Sequence, residues 1–350
     1  MSALLLQTPF LLSEREDALA CELFEQVFKH PTSLAQWRWK YREGPRLGGV
    51  HVGIKSAQGK LVAHAGASVF EGQYKDAQGL TKRLPMAQVC DVMVHESARD
   101  GVTHQGAYAQ VIHALQESLA QTYAGVYAYG FAGIRPYKLG LKMGMYKCHQ
   151  DCRMGQLKLV QAPITEAPLR TQQFQTQQFQ IEPLHIEPSE FIKHHAKFDE
   201  WAHAWGTTDA PKILRTGAYL QWRFVQNPNA HYQFWLCTQE GQTKAWFVTR
   251  AFSPGHLTVV DALMHPNLHP SLQPLAAQAI YQPHLFNQGL YQGLYQGLNE
   301  GNSQTQSVSS WYIQTEDSLK LEPIKACEVR VGEWHACKPP QFWPADTDVF

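Results

Sequence analysis

Residues 89–146 read VCDVMVHESARDGVTHQGAYAQVIHALQESLAQTYAGVYAYGFAGIRPYKLGLKMGMY, and this stretch decides the fold. It opens with a short, mostly apolar and β-branched run, Val89 to Val94, which predicts a strand interrupted only by Asp91. A loop with two glycines, Arg99 to Gly106, comes next. Apolar residues then recur at helical spacing from Tyr108 to Leu119, so the loop leads into a predicted helix.

The second part of the stretch predicts another strand, at residues 125–129, and a helix that starts near Pro136 and ends before Gly144. The order is therefore strand, loop, helix, strand, helix. A glycine loop before a helix N-terminus turns backbone N–H groups and the positive end of the helix dipole toward one point, which favours phosphate binding. Many nucleotide-binding units share this order, and an ordinary strand-to-helix connection is the alternative.

The details resemble the GCN5-related N-acetyltransferase (GNAT) family. The matching residues are Asp91-Val92-Met93-Val94-His95, Arg99, Gly106, Tyr129-Gly130-Phe131 and Lys142-Met143-Gly144-Met145. The resemblance implies that backbone at Val92, Met93 and Val94 holds the pantetheine arm of acetyl-CoA. It also implies that the following loop holds the pyrophosphate, through Arg99, Gly101, Val102, His104, Gln105, Gly106 and Ala107.

The chain contains two copies of one pattern. Trp37-Arg38-Trp39 precedes a hairpin signal and the strand with Asp91; about 185 residues later Trp222-Arg223-Phe224 precedes a second hairpin signal and a strand with Asp261. Such self-similarity predicts a duplicated domain in which Trp37 matches Trp222 and Asp91 matches Asp261. The first copy is longer by about one hairpin, and residues 71–85 are the candidate for it.

The second copy is predicted to be degenerate at the cofactor position. The residues after His265 contain two prolines and no glycine over 266–271, so they offer few N–H donors to a phosphate. We predict a mixed α/β fold of the α+β kind, with two tandem GNAT-like domains. Each is a mixed, mainly antiparallel sheet flanked by helices. The boundaries are 1–160 for the acyl-CoA-binding domain, 161–185 for a glutamine-rich linker and 186–350 for the degenerate domain.

Two residues are candidates for catalysis. Asp91, a carboxylate in an apolar strand, can act as general base for an acceptor amine, although its recurrence as Asp261 favours a structural role. Members of the family often use a tyrosine four residues before the last glycine as general acid, and this chain has Gly140 there. Tyr137, one helical turn earlier, is the nearest replacement, and packing of the helix on the sheet is its alternative role.

Composition narrows the classes of partner and compartment. Lys plus Arg and Asp plus Glu number 30 each, which gives no basic footprint for nucleic acid. No apolar run is long enough to cross a membrane, and Met1 to Leu6 lacks the basic residues of a signal peptide. Seven scattered cysteines indicate a cytoplasmic protein with reduced thiols, and the Cys-x-x-x-Cys at 148–152 without a second pair predicts no metal site.

The predicted function is an acyl-CoA-dependent N-acyltransferase, which transfers an acetyl group from acetyl-CoA to the amine of a small molecule or peptide by direct attack. No Gly-x-Ser-x-Gly or Gly-Lys-Ser/Thr motif occurs, so serine hydrolases and phosphate-loop NTPases are excluded. Two alternatives stay open. The chain could be a non-catalytic module that binds acyl-CoA or another ligand, as Gly140 suggests, or it could transfer an acyl or aminoacyl group from another donor.

Overall fold

The computed structural model describes residues 5–99, 105–132, 134–145, 148–158, 179–184, 186–253, 256–266, 307–312 and 323–331. Its helices are α1 (Asp17–Phe28), α2 (Leu34–Tyr41), α3 (Ala107–Thr122), α4 (Ile134–Lys142), α5 (His195–Trp205) and α6 (Gly217–Leu220), which continues as a π-helical turn, Gln221–Val225. Its strands are β1 (Phe10–Leu11), β2 (Gly48–Lys55), β3 (Leu61–Lys75), β4 (Thr81–Val94), β5 (Val126–Gly130), β6 (Cys148–Lys158), β7 (Phe179–Leu184), β8 (Lys212–Ile213), β9 (Gln233–Gln239), β10 (Gln242–Ser253), β11 (His256–Met264), β12 (Ser307–Tyr312) and β13 (Pro323–Val331).

All these strands belong to one sheet, with the order β1-β2-β3-β4-β5-β13-β6-β12-β11-β10-β9-β7 and β8 added beside β3. Two neighbouring pairs are parallel, β4 with β5 and β11 with β12. The others are antiparallel. The sheet is therefore mixed and mainly antiparallel, and helices flank it, which confirms the predicted fold class.

The two copies repeat the same elements. The order α2-β2-β3-β4 in the first half returns as α6-β9-β10-β11 in the second, and each half adds a parallel strand beside its third. Asp91 lies on β4 and Asp261 on β11, the equivalent strands. The extra hairpin predicted at 71–85 is present, because β3 and β4 stay paired as far as Lys75 and Thr81.

The halves exchange their last strands. β13, from the second half, lies between β5 and β6 and pairs with both. β6, from the first half, pairs in turn with β12. The end of the predicted linker also belongs to the sheet, since β7 pairs with β9. Each half therefore completes the other's sheet at the centre of the molecule.

An aromatic cluster joins the halves on the face of the sheet that carries α5 and α6. Trp39 stacks on Trp222 at 5.1 Å between ring centroids, and the indole N–H of each donates to the backbone carbonyl of the other at 2.8 Å. This contact brings Trp222 against Trp39, and the superposition of Trp37 on Trp222 stays a prediction. Trp37 instead donates to Asp17 Oδ1 on α1 at 3.3 Å. Because a tryptophan stands on each side of Arg38, the sequence alone does not show which of the two corresponds to Trp222.

Candidate functional site

β4 and β5 separate at the point where the site is predicted. They run parallel, but they pair only from Met86 with Tyr127 to Gln88 with Tyr129. Beyond Gln88, β4 continues to Val94, and within the described residues its ladder partner there is β3 alone. Within the described residues, the backbone of Val92, Met93 and Val94 therefore has no ladder partner on the β5 side, and this edge borders the predicted cleft.

A bulge shapes β4 along this cleft. Gly66 pairs with Cys90 and His64 with Met93, so β4 carries one residue more than β3 between these pairs. Asp91 lies in the bulge with φ of +47°, in the left-handed region that aspartate tolerates better than most residues. The extra residue also changes which side chains face α3: Ala87 and Val89 do so before the bulge, whereas Val92 and Val94 do so after it.

The Asp91 side chain points to the α2 side of the sheet and is held by its Oδ2 atom. Lys40 Nζ lies 2.8 Å from Oδ2, and the Tyr41 hydroxyl donates to the same oxygen at 2.6 Å. His64 Nδ1 lies 2.9 Å from the backbone carbonyl of Asp91. Within the described residues no donor is bonded to Oδ1, so this oxygen is the one that can accept from a ligand.

The counterpart in the second half is bonded differently. Asp261 Oδ2 accepts from Arg215 Nε at 2.8 Å, and Oδ1 accepts from the Ala262 amide at 3.0 Å. Asp261 is 0% exposed, whereas Asp91 keeps 9% of its surface exposed. The two aspartates therefore share a position but not an environment.

Two histidines are buried behind the bulge. His51 and His64 lie with ring centroids 5.8 Å apart, and the His51 ring meets the Tyr41 ring edge-on at 4.4 Å. Both nitrogens of His51 and Nε2 of His64 are buried, and none of the three has a hydrogen-bond partner among the described residues. Burial lowers the pKa of His51 well below 6.5 and lowers the pKa of His64 to about 4, so both rings are neutral near pH 7.

The predicted phosphate loop is described only at its two ends. Arg99 donates from Nε to the Val94 carbonyl at 3.0 Å and is exposed, whereas Gly101, Val102 and His104 lie outside the described residues. Gln105 accepts at its carbonyl from Gln110 Nε2 at 2.6 Å. Gly106 is the N-cap of α3 and supplies no side-chain cap, so the first N–H groups of α3, beginning at Ala107, keep their capacity to bind an anion.

Tyr137 lies on α4, which begins two residues earlier than the predicted start at Pro136. Its side chain is buried. The end of α4 and the following turn pack on the start of α3, where Met143 and Met145 contact Ala109. α4 therefore adjoins the N-terminus of α3.

A narrow cleft opens beside the bulge on the α2 side of the sheet. It is lined by Lys40, Ser68, Gln88 and Cys90 from the first half and by Trp222 and Arg223 from the second. The Arg223 guanidinium lies over the Trp39 ring, and that of Arg46 lies over the Trp222 ring, each at 5.5 Å. Each of these contacts between an arginine and a tryptophan joins one half to the other.

Two absences hold for the part of the chain that the structure describes. No group of three metal-ligating side chains comes together there. None of its helices has both the length and the apolar character to cross a bilayer.

Sequence reasoning missed the residues that surround Asp91. Lys40 and Tyr41 directly follow the repeated Trp37-Arg38-Trp39, and no sequence pattern linked that helix to the strand. A signal did exist for His51 and His64. Each interrupts an otherwise apolar strand with a polar ring, which marks a buried polar cluster.

The architecture matches solved structures with the GNAT fold. A conserved Enterococcus faecalis protein, described as a probable N-acyltransferase, matches with a TM-score of 0.56 and 15% identity over 92% of this chain and 72% of that one. A GCN5-related N-acetyltransferase from Anabaena variabilis matches with a TM-score of 0.54 and 14% identity, over 92% and 72%. A tandem GNAT protein from the clavulanic acid biosynthesis pathway matches with a TM-score of 0.55 and 11% identity, over 94% and 99%.

No protein-family model and no curated protein sequence matches the chain. The likeness to solved structures establishes the fold, which is the GNAT fold in two tandem copies, as the sequence predicted.

Proposed function

We propose that this chain, which has the tandem GNAT fold, transfers an acyl group from acyl-CoA to an amine, with acetyl-CoA as the expected donor. The observation that carries the proposal is the separation of β4 from β5 after Gln88. The separation leaves strand backbone at Val92 to Val94 to bind an extended pantetheine arm, and the uncapped N-terminus of α3 suits a pyrophosphate.

Each group of residues in the first half has a separate proposed role in the reaction. Backbone N–H groups along the bulged part of β4 would stabilise the oxyanion that forms at the thioester carbonyl. Asp91 Oδ1 would accept the proton of the acceptor amine, and the cleft lined by Lys40 and Arg223 would admit that amine. The pyrophosphate would lie at Arg99, Gly101, Val102, His104, Gln105, Gly106 and Ala107. The acceptor would be a small molecule or a peptide.

Tyr137 is the proposed donor of the proton that the leaving thiolate takes up. The hydroxyl is the only group that Tyr137→Phe removes, so the ring and its packing stay. If Tyr137→Phe keeps full kcat over the pH range, Tyr137 only packs α4 on the sheet and does not donate the proton.

The function is tested by measuring acetyl-CoA binding and thiol release separately. Calorimetry with the full chain should show a single site. Release of the CoA thiol should then depend on addition of an amine from a panel of small molecules and peptides, and Asp91→Asn should lower kcat by roughly 10²–10⁴-fold.

The same experiment decides between the alternatives. Binding without release for every amine would favour a non-catalytic acyl-CoA-binding module, which the glycine at position 140 supports. Absence of acetyl-CoA binding would contradict the proposal and leave transfer from another donor.

A further inference from the structure

We propose that Lys40 and Tyr41, neighbouring residues at the end of α2, position Asp91 as the base that receives the proton of the acceptor amine. This inference rests on the acyltransferase function proposed above. It assigns to α2 a part in the reaction, although α2 lies outside the strands and the helix that would bind the donor.

The convergence of two donors on one oxygen is the first observation. Lys40 Nζ and the Tyr41 hydroxyl lie 2.8 Å and 2.6 Å from the same atom, Asp91 Oδ2. A carboxylate that accepts both bonds through one oxygen has its torsion fixed and leaves the second oxygen for a ligand. Hydrogen bonds to a charged acceptor are among the stronger ones in proteins, so the orientation is well defined.

The two donors are themselves held in place. Tyr41 is 2% exposed, and its ring lies 4.6 Å from that of Trp37. The backbone carbonyl of Lys40 accepts from Ser68 Oγ on β3 at 3.1 Å and from Arg46 Nη1 at 3.0 Å. The last turn of α2 is therefore tied to the sheet that carries Asp91.

The backbone of Asp91 is fixed by a different element. His64 on β3 lies 2.9 Å from the Asp91 carbonyl through Nδ1, and Asp91 has a left-handed backbone at the bulge. Side chain and backbone are thus constrained by different elements. Such preorganisation is what a base needs if it is not to rotate away from its substrate.

The second half supplies an internal comparison. Asp261 has bonds to both carboxylate oxygens and no exposed surface. The fold can therefore accommodate this aspartate with both oxygens bonded. Asp91 Oδ1 stays available in the half that has the predicted phosphate loop. From this difference we infer that Oδ1 is available because it bonds to a ligand.

The proposed step balances as follows. As the amine nitrogen forms its bond to the acyl carbon, its proton moves to Asp91 Oδ1. The C–S bond of the thioester breaks, and the thiolate takes a proton from Tyr137 or from solvent. Asp91 then releases its proton to solvent, Tyr137 takes up a proton from solvent where it was the donor, and Lys40 and Tyr41 keep their bonds to Oδ2 throughout.

The test compares Tyr41→Phe and Lys40→Met with the wild-type chain, using acetyl-CoA and an amine that supports thiol release. Each variant should lower kcat by about 10- to 100-fold, the loss of one hydrogen bond to a charged group. The Kd for acetyl-CoA should stay unchanged. Lys40→Arg should recover most of the rate. Tyr232→Phe, which removes a hydroxyl that accepts from the Asn227 amide far from Asp91 in sequence, is the matched control.

The decisive measurement places Tyr41→Phe in an Asp91→Asn background. A residue that acts through Asp91 should have no further effect there, whereas a merely structural residue should lower kcat by the same factor as before. Two results would overturn this inference: full kcat in Tyr41→Phe, or the same loss of kcat from Tyr41→Phe in the Asp91→Asn background. In either case, thiol release by the wild-type chain would still support the proposed function. Absence of wild-type thiol release with every amine would overturn both.

Discussion

The indole N–H groups of Trp39 and Trp222 each donate to the other residue's backbone carbonyl at 2.8 Å, so the contact between these residues of opposite halves is reciprocal. The Arg46 guanidinium lies over the Trp222 ring, and the Arg223 guanidinium lies over the Trp39 ring. This contact joins the duplicated halves.

This reciprocity predicts strong coupling between the two tryptophans. Trp39→Phe and Trp222→Phe should each lower the free energy of unfolding by about 1–3 kcal/mol, because each leaves a buried carbonyl with fewer donors. Their effects should differ from additivity by more than about 0.5 kcal/mol, since the residues share one contact. Denaturant unfolding of the single and double variants measures this, and simple additivity would contradict it.

The exchange of β6 and β13 predicts that neither half folds alone. Residues 1–160 expressed by themselves would leave β5 without β13 and β6 without both of its neighbours, and unpaired strand edges associate. We expect this fragment to aggregate, and we expect it to be recovered with residues 161–350 when the two are produced together. Size-exclusion chromatography distinguishes these cases. A monomeric fragment 1–160 with a cooperative thermal transition would refute the prediction.

The buried histidines predict a loss of stability at mildly acid pH. Burial lowers the pKa of His51 and of His64 in the folded state, the latter to about 4, so the unfolded chain binds more protons below about 6.5. The contribution of the two neutral histidines to the free energy of unfolding is therefore fully present above about pH 6.5, and it decreases as the pH falls toward 4. Urea unfolding at several pH values should show this slope.

The slope should be shallower in His51→Phe, because that variant removes one of the two titrating rings and keeps the aromatic contact with Tyr41. His231→Phe, at an exposed position, is the control and should keep the wild-type slope. Equal slopes in all three proteins would assign the acid sensitivity to other groups.

The start of α3 predicts how acetyl-CoA binding can be removed without unfolding. Gly106 has φ of −68° and ψ of 158°, which any residue adopts, so neither Gly106→Ala nor Gly106→Glu should strain the backbone. The glutamate would place a negative charge where a pyrophosphate is expected. Calorimetry should show binding lost in Gly106→Glu and kept in Gly106→Ala, with similar Tm values. Undiminished affinity in Gly106→Glu would exclude this site for the phosphates.

The elements that sequence could predict are those with local causes. The strand at Val89, the helix from Tyr108 and the capping box of Ser13 with Glu16 follow from spacing and side-chain chemistry within a few residues. The duplication was also visible, because three features recur in order. These patterns placed Asp91 correctly on a strand at the cleft.

What sequence could not predict depends on contacts between distant segments. Lys40 and Tyr41 reach Asp91 because the last turn of α2 lies over the bulge in β4. No local sequence pattern predicts that bulge. The recurrence of Asp261 suggested one structural role for both aspartates, and only their bonding distinguishes them. The position of β13 beside β5 likewise follows from pairing across the whole chain.

The exchange of strands also sets an order in time during synthesis. Tyr129 on β5 pairs with Glu328 on β13, about 200 residues later in the chain. At roughly 5–20 residues per second, β5 leaves the ribosome about 10–40 s before its partner strand exists. The hairpins of β2, β3 and β4 can form early from local contacts, whereas the far edge of β5 must wait for the C-terminal residues. The strand that borders the proposed cleft is thus completed only after β13 (Pro323–Val331) has been made, and a nascent chain cannot have a finished site before then.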